Sequence, residues 1–236
     1  MTNWLEETKN QIKNLKKEGF FDNWKIKKTE YITFHIYPKL EIPRNWILER
    51  VNIYAQNAKM FGINRPPCVD FYVYQSIDSV KSIGITPAIS FLKQREIHGH
   101  LKQSTGHELN HILLGSINPS ENLPANGLWE EALCVYYDGT NTDRKKHTGS
   151  TNYSEEILNT PWDFWRSTLP SNLYPLAGSI AQYCAEKYDL KLLLSFIKEM
   201  RDNGENDGSL CSIIFKIPYH ELQKNWRQWL KNKATV

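Results

Sequence analysis

His107-Glu108-Leu109-Asn110-His111 sets two imidazoles four residues apart with a carboxylate between them. On a helix, positions i and i+4 share one face with their Cβ atoms about 5–6 Å apart, so the two rings can converge on a single tetrahedral ion. Glu108 lies one step round the helix from His107. There it reaches the open position of the ion without ligating, and it can accept a proton from water. With the histidine and glutamate content of this chain, chance supplies about 0.015 such pentapeptides. The chemistry this spacing points to is metal-assisted hydrolysis.

A catalytic zinc takes three protein ligands and leaves its fourth position to water. The stretch Leu128-Trp129-Glu130-Glu131-Ala132-Leu133-Cys134-Val135-Tyr136-Tyr137 offers two carboxylates in an otherwise apolar and aromatic helix. Such groups are costly to bury unless paired or bound to metal. A first-turn position, favoured by the helix dipole, accounts for one of them if Asn126 or Gly127 starts the helix. It does not account for both beside Trp129 and Ala132, so either Glu130 or Glu131 is a candidate third ligand.

The elements that must carry these residues follow from periodicity. Residues 2–18 read as an amphipathic helix through Trp4, Leu5, Thr8, Ile12 and Leu15, closed by Gly19. Residues 24–37 and 69–75 read as strands, 44–61 as a helix ended by Gly62, and 88–92 and 95–101 as short strands. From there the period is helical, over 104–115, 127–138, 174–188, 190–202 and 219–231. Ser104 or Thr105 is placed to cap the metal helix and Gly115 to end it. Strands first and helices after predict an α+β fold. The expected organisation is a single domain over 1–236, strand-rich over about 24–103 and helical over about 104–232.

HExxH followed about twenty residues later by a glutamate resembles the gluzincin pattern of zinc metallopeptidases, which the thermolysin and M1 aminopeptidase branches share. Residues 128–136 are similar to the W-L-x-E-G-x-A-x-Y frame of that group, with Ala132 in the glycine place and Tyr136 in the tyrosine place. On that frame the ligand is Glu131; the shorter spacing of the aminopeptidase branch would choose Glu130. Tyr174-Pro175-Leu176-Ala177-Gly178-Ser179, running into Tyr183-Cys184-Ala185-Glu186-Lys187-Tyr188, resembles the helix after the site in compact peptidase MA-like domains. Tyr219 to Leu230 resembles their closing helix, so the likeness spans roughly residues 28–232.

The resemblance implies a zincin-like fold and one Zn²⁺ per chain, held by His107, His111 and Glu131. It implies Glu108 as general base and Tyr174 as donor to the oxyanion. It also implies that strand 95–101 is a sheet edge pairing with the substrate backbone, where His98 or His100 could touch substrate; on residue type alone they are exposed strand residues. Two departures stand out. Position 135, where the group often carries a polar residue bonded to a zinc histidine, is Val, and Asp138 lies two turns beyond Glu131 on the same face. The exopeptidase string G-x-M-E-N is missing before HExxH, which weighs against a typical M1 aminopeptidase.

The expected function is therefore a zinc-dependent metallopeptidase acting on a peptide or protein substrate. The alternatives are a zinc-retaining binding module without activity and a zinc hydrolase of a non-peptide amide. Composition narrows the rest. Net charge is +3, too balanced for a nucleic-acid partner. Mean hydropathy is −0.56, and no apolar run approaches the ~18 residues of a membrane span. Cys68, Cys134, Cys184 and Cys211 form no CxxC pair, three of them sit in apolar contexts, and no leader-like apolar stretch follows Met1. A reduced, cytoplasmic protein is the expectation. His35, His147 and His220 stand alone and read as non-ligands, and the aromatic groups at Trp162, Phe164 and Trp165 and at Trp226 and Trp229 read as packing.

Overall fold

A computed structural model describes residues 4–86, 88–117, 127–140, 173–203 and 208–232. His147 and the 162–165 aromatic group lie outside them. The fold is α+β, and the chain divides into two compact units, Met1–Ser116 and Ile117–Val236.

In the first unit, α1 (Trp4–Lys17) turns its buried Thr8, Ile12 and Leu15 inward. Gly19, at φ 72°, closes the turn after it in the left-handed region where glycine is least strained. Five strands follow: β1 (Lys25–Lys28), β2 (Ile32–Ile36), β3 (Val69–Tyr74), β4 (Ile89–Phe91) and β5 (Glu96–His100). They form one mixed sheet in the order β1-β2-β3-β5-β4. The β2–β3 and β3–β5 pairs are parallel, and β1 and β4 are antiparallel to their neighbours. Helix α2 (Arg44–Met60) connects the parallel strands β2 and β3. Strand–helix–strand alternation is thus present, and it recurs where a helix at Ile77–Ser82 lies between β3 and β4, although the order of elements in the sequence reads as strands before helices.

Two expectations change here. Residues 95–101 do not form a sheet edge. β5 lies between β3 and β4, and among the described strands the edge on that side is Ile89–Phe91. His98 is not an exposed strand residue either, because both faces of the sheet are covered. On one face the register sets Phe34 beside Phe71 and Phe71 beside Ile97, and Trp46 of α2 packs on both phenylalanines. On the other face His35, Tyr72 and His98 share a row and stack, with centroids 4.4 and 4.6 Å apart and the rings within 11° and 3° of parallel. Ile12, Leu15 and Trp24 close over that face. Parallel strands buried on both sides lose the inside–outside alternation that sequence reading relies on.

His98 is fully buried, and its Nδ1 shares a 2.7 Å hydrogen bond with Tyr74 Oη. Burial holds its pKa below the usual histidine value. The unfolded chain therefore binds a proton that the folded unit refuses. The stability this contributes is complete above the unfolded histidine pKa of about 6.5 and is lost as pH falls below it, at up to ~1.4 kcal/mol per pH unit. We expect urea midpoints between pH 7.5 and 5.5 to fall less steeply in His98→Gln than in the natural chain. Equal slopes would place the acid-sensitive group elsewhere.

Two short helices have no counterpart in the periodicity reading. α3 (Ile77–Ser82) is nucleated by a reciprocal capping box, with Ser76 and Ser79 each bonding the other's backbone N–H. The last helix of the first unit, α4 (His107–Ile117), carries the pentapeptide.

The second unit contains α5 (Gly127–Tyr136), α6 (Leu173–Lys187), α7 (Leu190–Asn203), α8 (Gly208–Phe215), which is the other unforeseen helix, and α9 (Tyr219–Asn232). Leu128, Trp129, Ala132, Leu133 and Cys134 of α5 are all buried, and α5 packs along α6. Trp129 meets Phe196 edge-on at 4.8 Å, and Trp226 Nε1 donates to Ser179 Oγ at 3.2 Å. The tryptophans of 129 and 226 are thus packing residues that also satisfy their indole N–H. No helix among the described residues is long and apolar enough to cross a membrane.

Candidate metal centre

α4 begins at His107, so Gly106 precedes it rather than Ser104 or Thr105, and the Gly106 carbonyl accepts from Asn110 N at 2.8 Å. It runs on to Ile117 through Gly115. That glycine is a close-approach position rather than a stop, since a Cβ there would come within 3.1 Å of Leu92. Leu109, Ile112, Leu113 and Leu114 are buried and seat the helix, while His107 is half-buried. The His107 and His111 rings stand 4.9 Å apart at 81° to each other. The i, i+4 spacing thus delivers the convergence it predicts.

Glu131 is 1% exposed, within the apolar body of α5. Candidate ligand atoms of His107, His111 and Glu131 all lie within 4.8 Å of one another. Two imidazoles and one carboxylate fit a zinc site that keeps its fourth position open. The same donors accept other first-row divalent ions, so the set fixes a class of metal rather than one metal.

Glu108 is 6% exposed and stays outside that group. Among the described residues its carboxylate has no hydrogen bond or ion pair. A nearly buried, uncommitted carboxylate next in sequence to one of these candidate ligands could serve as a general base.

The other sequence candidates fall out as follows. Tyr174 stands half-buried in the first turn of α6. His98 is a core residue, so it is not a substrate contact. His100 is buried as well, with its Nδ1 accepting from Lys102 N at 3.2 Å. Burial keeps the His100 pKa low. His35 bonds Asp70 through Nε2 at 2.7 Å, and His220 is exposed. Asp138 is buried just past the end of α5, where its Oδ1 accepts from Thr140 N and Oγ1 at 2.9 and 2.7 Å in a turn. Val135 is buried. All four cysteines are free; Cys134, Cys184 and Cys211 are buried and Cys68 is exposed.

Periodicity missed the polar residues that α2 turns inward. Arg50 and Asn57 are each 2% exposed and share the inward helix face of Trp46, Ile47, Tyr54 and Ala58. Their spacing from Trp46 was the available signal.

No protein-family profile matches the chain, and no curated protein matches it in sequence.

Proposed function

We propose that this chain is a zinc-dependent metallopeptidase of the gluzincin type, with a zincin-like arrangement of a mixed sheet ahead of the metal helix. The observation that carries the reading is the clustering of His107, His111 and Glu131 within 4.8 Å, with the uncommitted Glu108 next to His107. Three ligands with a spare carboxylate suit a hydrolytic centre better than a structural zinc, which is normally closed by four protein ligands.

Zinc bound there supplies Lewis acidity and lowers the pKa of water toward about 7. His107, His111 and Glu131 would hold it as its three protein ligands. Glu108 takes the proton of the attacking water on a carboxylate oxygen and passes it to the departing amine nitrogen, so it ends the cycle ionised as it began. Tyr174 is the proposed hydroxyl donor to the oxyanion. The substrate is a peptide or protein, with endo- and exopeptidase action both compatible with these residues. Four free thiols suit the reducing cytoplasm as the place of action.

The test is metal content with reconstitution. Purified protein should carry about one zinc per chain, lose it together with peptide hydrolysis on chelation, and regain both with added zinc. A folded chain that takes up no zinc at micromolar free metal overturns the reading.

A further inference from the structure

Three hydrogen bonds tie one face of α2 to the segment that carries the pentapeptide. Trp46 Nε1 donates to the Leu101 carbonyl at 2.9 Å, and Arg50 Nη2 donates to the Gln103 carbonyl at 2.9 Å. Arg50 lies over the Trp46 ring at 3.4 Å and donates Nη1 to the Trp46 carbonyl at 3.2 Å. Gln103 in turn folds back, its Oε1 accepting from His100 N at 3.1 Å. Two turns further along α2, Asn57 Nδ2 donates to Asn110 Oδ1 at 2.7 Å, with both residues at most 2% exposed. Among the described residues Arg50 makes no carboxylate pair, and its Nε has no hydrogen-bond partner.

This is an expensive way to pack two elements. Burying a guanidinium against carbonyls and an amide against an amide costs desolvation that leucines would avoid. What such bonds add over leucines is direction, because each is satisfied at one geometry only. The location of Asn110 makes that direction matter. At 100° per residue the two histidines straddle a common bearing, with Glu108 about 80° to one side of it and Asn110 about 80° to the other. A bond that fixes Asn110 therefore fixes the rotation of α4 about its axis. A rotation of about 10° would carry an imidazole nitrogen roughly 1 Å sideways at its distance from the helix axis, an error large enough to spoil ligation and proton transfer.

We infer that Asn57 is a positioning residue for the metal centre, holding the rotation of α4 through Asn110 while Trp46 and Arg50 hold the loop that leads into it. The inference rests on the reading of His107 and His111 as ligands. It assigns α2 the task of aiming both imidazoles and Glu108, and it makes the buried amide pair part of the site rather than of the core.

The experiment compares the natural chain with Asn57→Leu, which keeps the volume and removes the donor, and with Asn57→Ser, which shortens the side chain and is easier to accommodate. Zinc affinity is measured by competition with a chromogenic chelator. The ligand field is read from the visible spectrum of the cobalt-substituted protein, and hydrolysis is split into kcat and KM. Positioning predicts zinc weakened by about tenfold or more, an altered cobalt spectrum, and a fall in kcat with KM nearly unchanged, in variants that remain folded by circular dichroism. Lower thermal stability with an unchanged affinity and spectrum would overturn the inference and leave Asn57 a core residue. The natural chain is the control for the reading beneath it: if that chain binds no zinc, the metal assignment fails. If it binds zinc and the folded variants bind it equally well, only the role of Asn57 fails.

Discussion

Glu108→Gln is expected to remove turnover while leaving the metal in place. Glutamine has the shape of the glutamate and sits at a nearly buried position, so the packing of α4 is preserved. What disappears is a carboxylate that can hold a proton between its removal from water and its delivery to nitrogen. General-base groups contribute about 10²–10⁴ to rate, and in the proposed mechanism one residue serves as base and then as acid, so a fall of kcat by about 10³ or more is anticipated. Zinc content should stay near one per chain, because the ligand group excludes Glu108. The informative measurement is kcat and metal content on the same preparation. Full activity in the variant would remove Glu108 from the mechanism, and loss of zinc together with activity would make it a ligand instead. A Glu108→Asp variant separates geometry from chemistry. It keeps the proton-carrying group but withdraws it by about one methylene, so partial activity is expected.

The local part of this site was legible in the sequence because its determinants are local. The i, i+4 histidines need only a helix, and Ile112, Leu113 and Leu114 supply the apolar side that buries it. Burial cost alone pointed to a carboxylate among Trp129, Ala132 and Leu133 without choosing between Glu130 and Glu131; the family-like frame chose Glu131, whose candidate ligand atom lies within 4.8 Å of those of His107 and His111. Non-local features were not legible in this way. Strand order depends on pairings between distant segments, so nothing within 95–101 announced that Ile89–Phe91 would cover its flank. His98 alternates with Ile97 as a half-exposed strand would, yet it is buried because α1 and the turn after it close the second face of the sheet. The helices at 77–82 and 208–215 have six and eight residues and are too short for a 3.6-residue period to register. Arg50 and Asn57 were passed over because a buried polar residue on a helix looks from sequence like a solvated one. Only the acceptors at Gln103 and Asn110 reveal what they do.

Glu131→Gln should have opposite effects on metal affinity and on the stability of the metal-free chain. A four-ligand structural zinc site is worth about 10–16 kcal/mol, so one ligand accounts for roughly 3–4 kcal/mol. Removing the carboxylate is therefore expected to weaken zinc by about 10²–10³. The metal-free protein responds the other way. A carboxylate at 1% exposure carries a desolvation penalty that an uncharged amide of the same size relieves. Added zinc should raise the melting temperature of the natural chain through its preference for the folded state. The variant should start higher in chelator and gain little from zinc. The same titration on Glu130→Gln identifies the third ligand, since that substitution should leave the zinc response intact. If instead Glu130→Gln loses the response and Glu131→Gln keeps it, the ligand moves by one residue and the shorter spacing applies. If neither variant changes the response, the carboxylate near the two histidines is not a ligand, and Glu131 is buried for another reason.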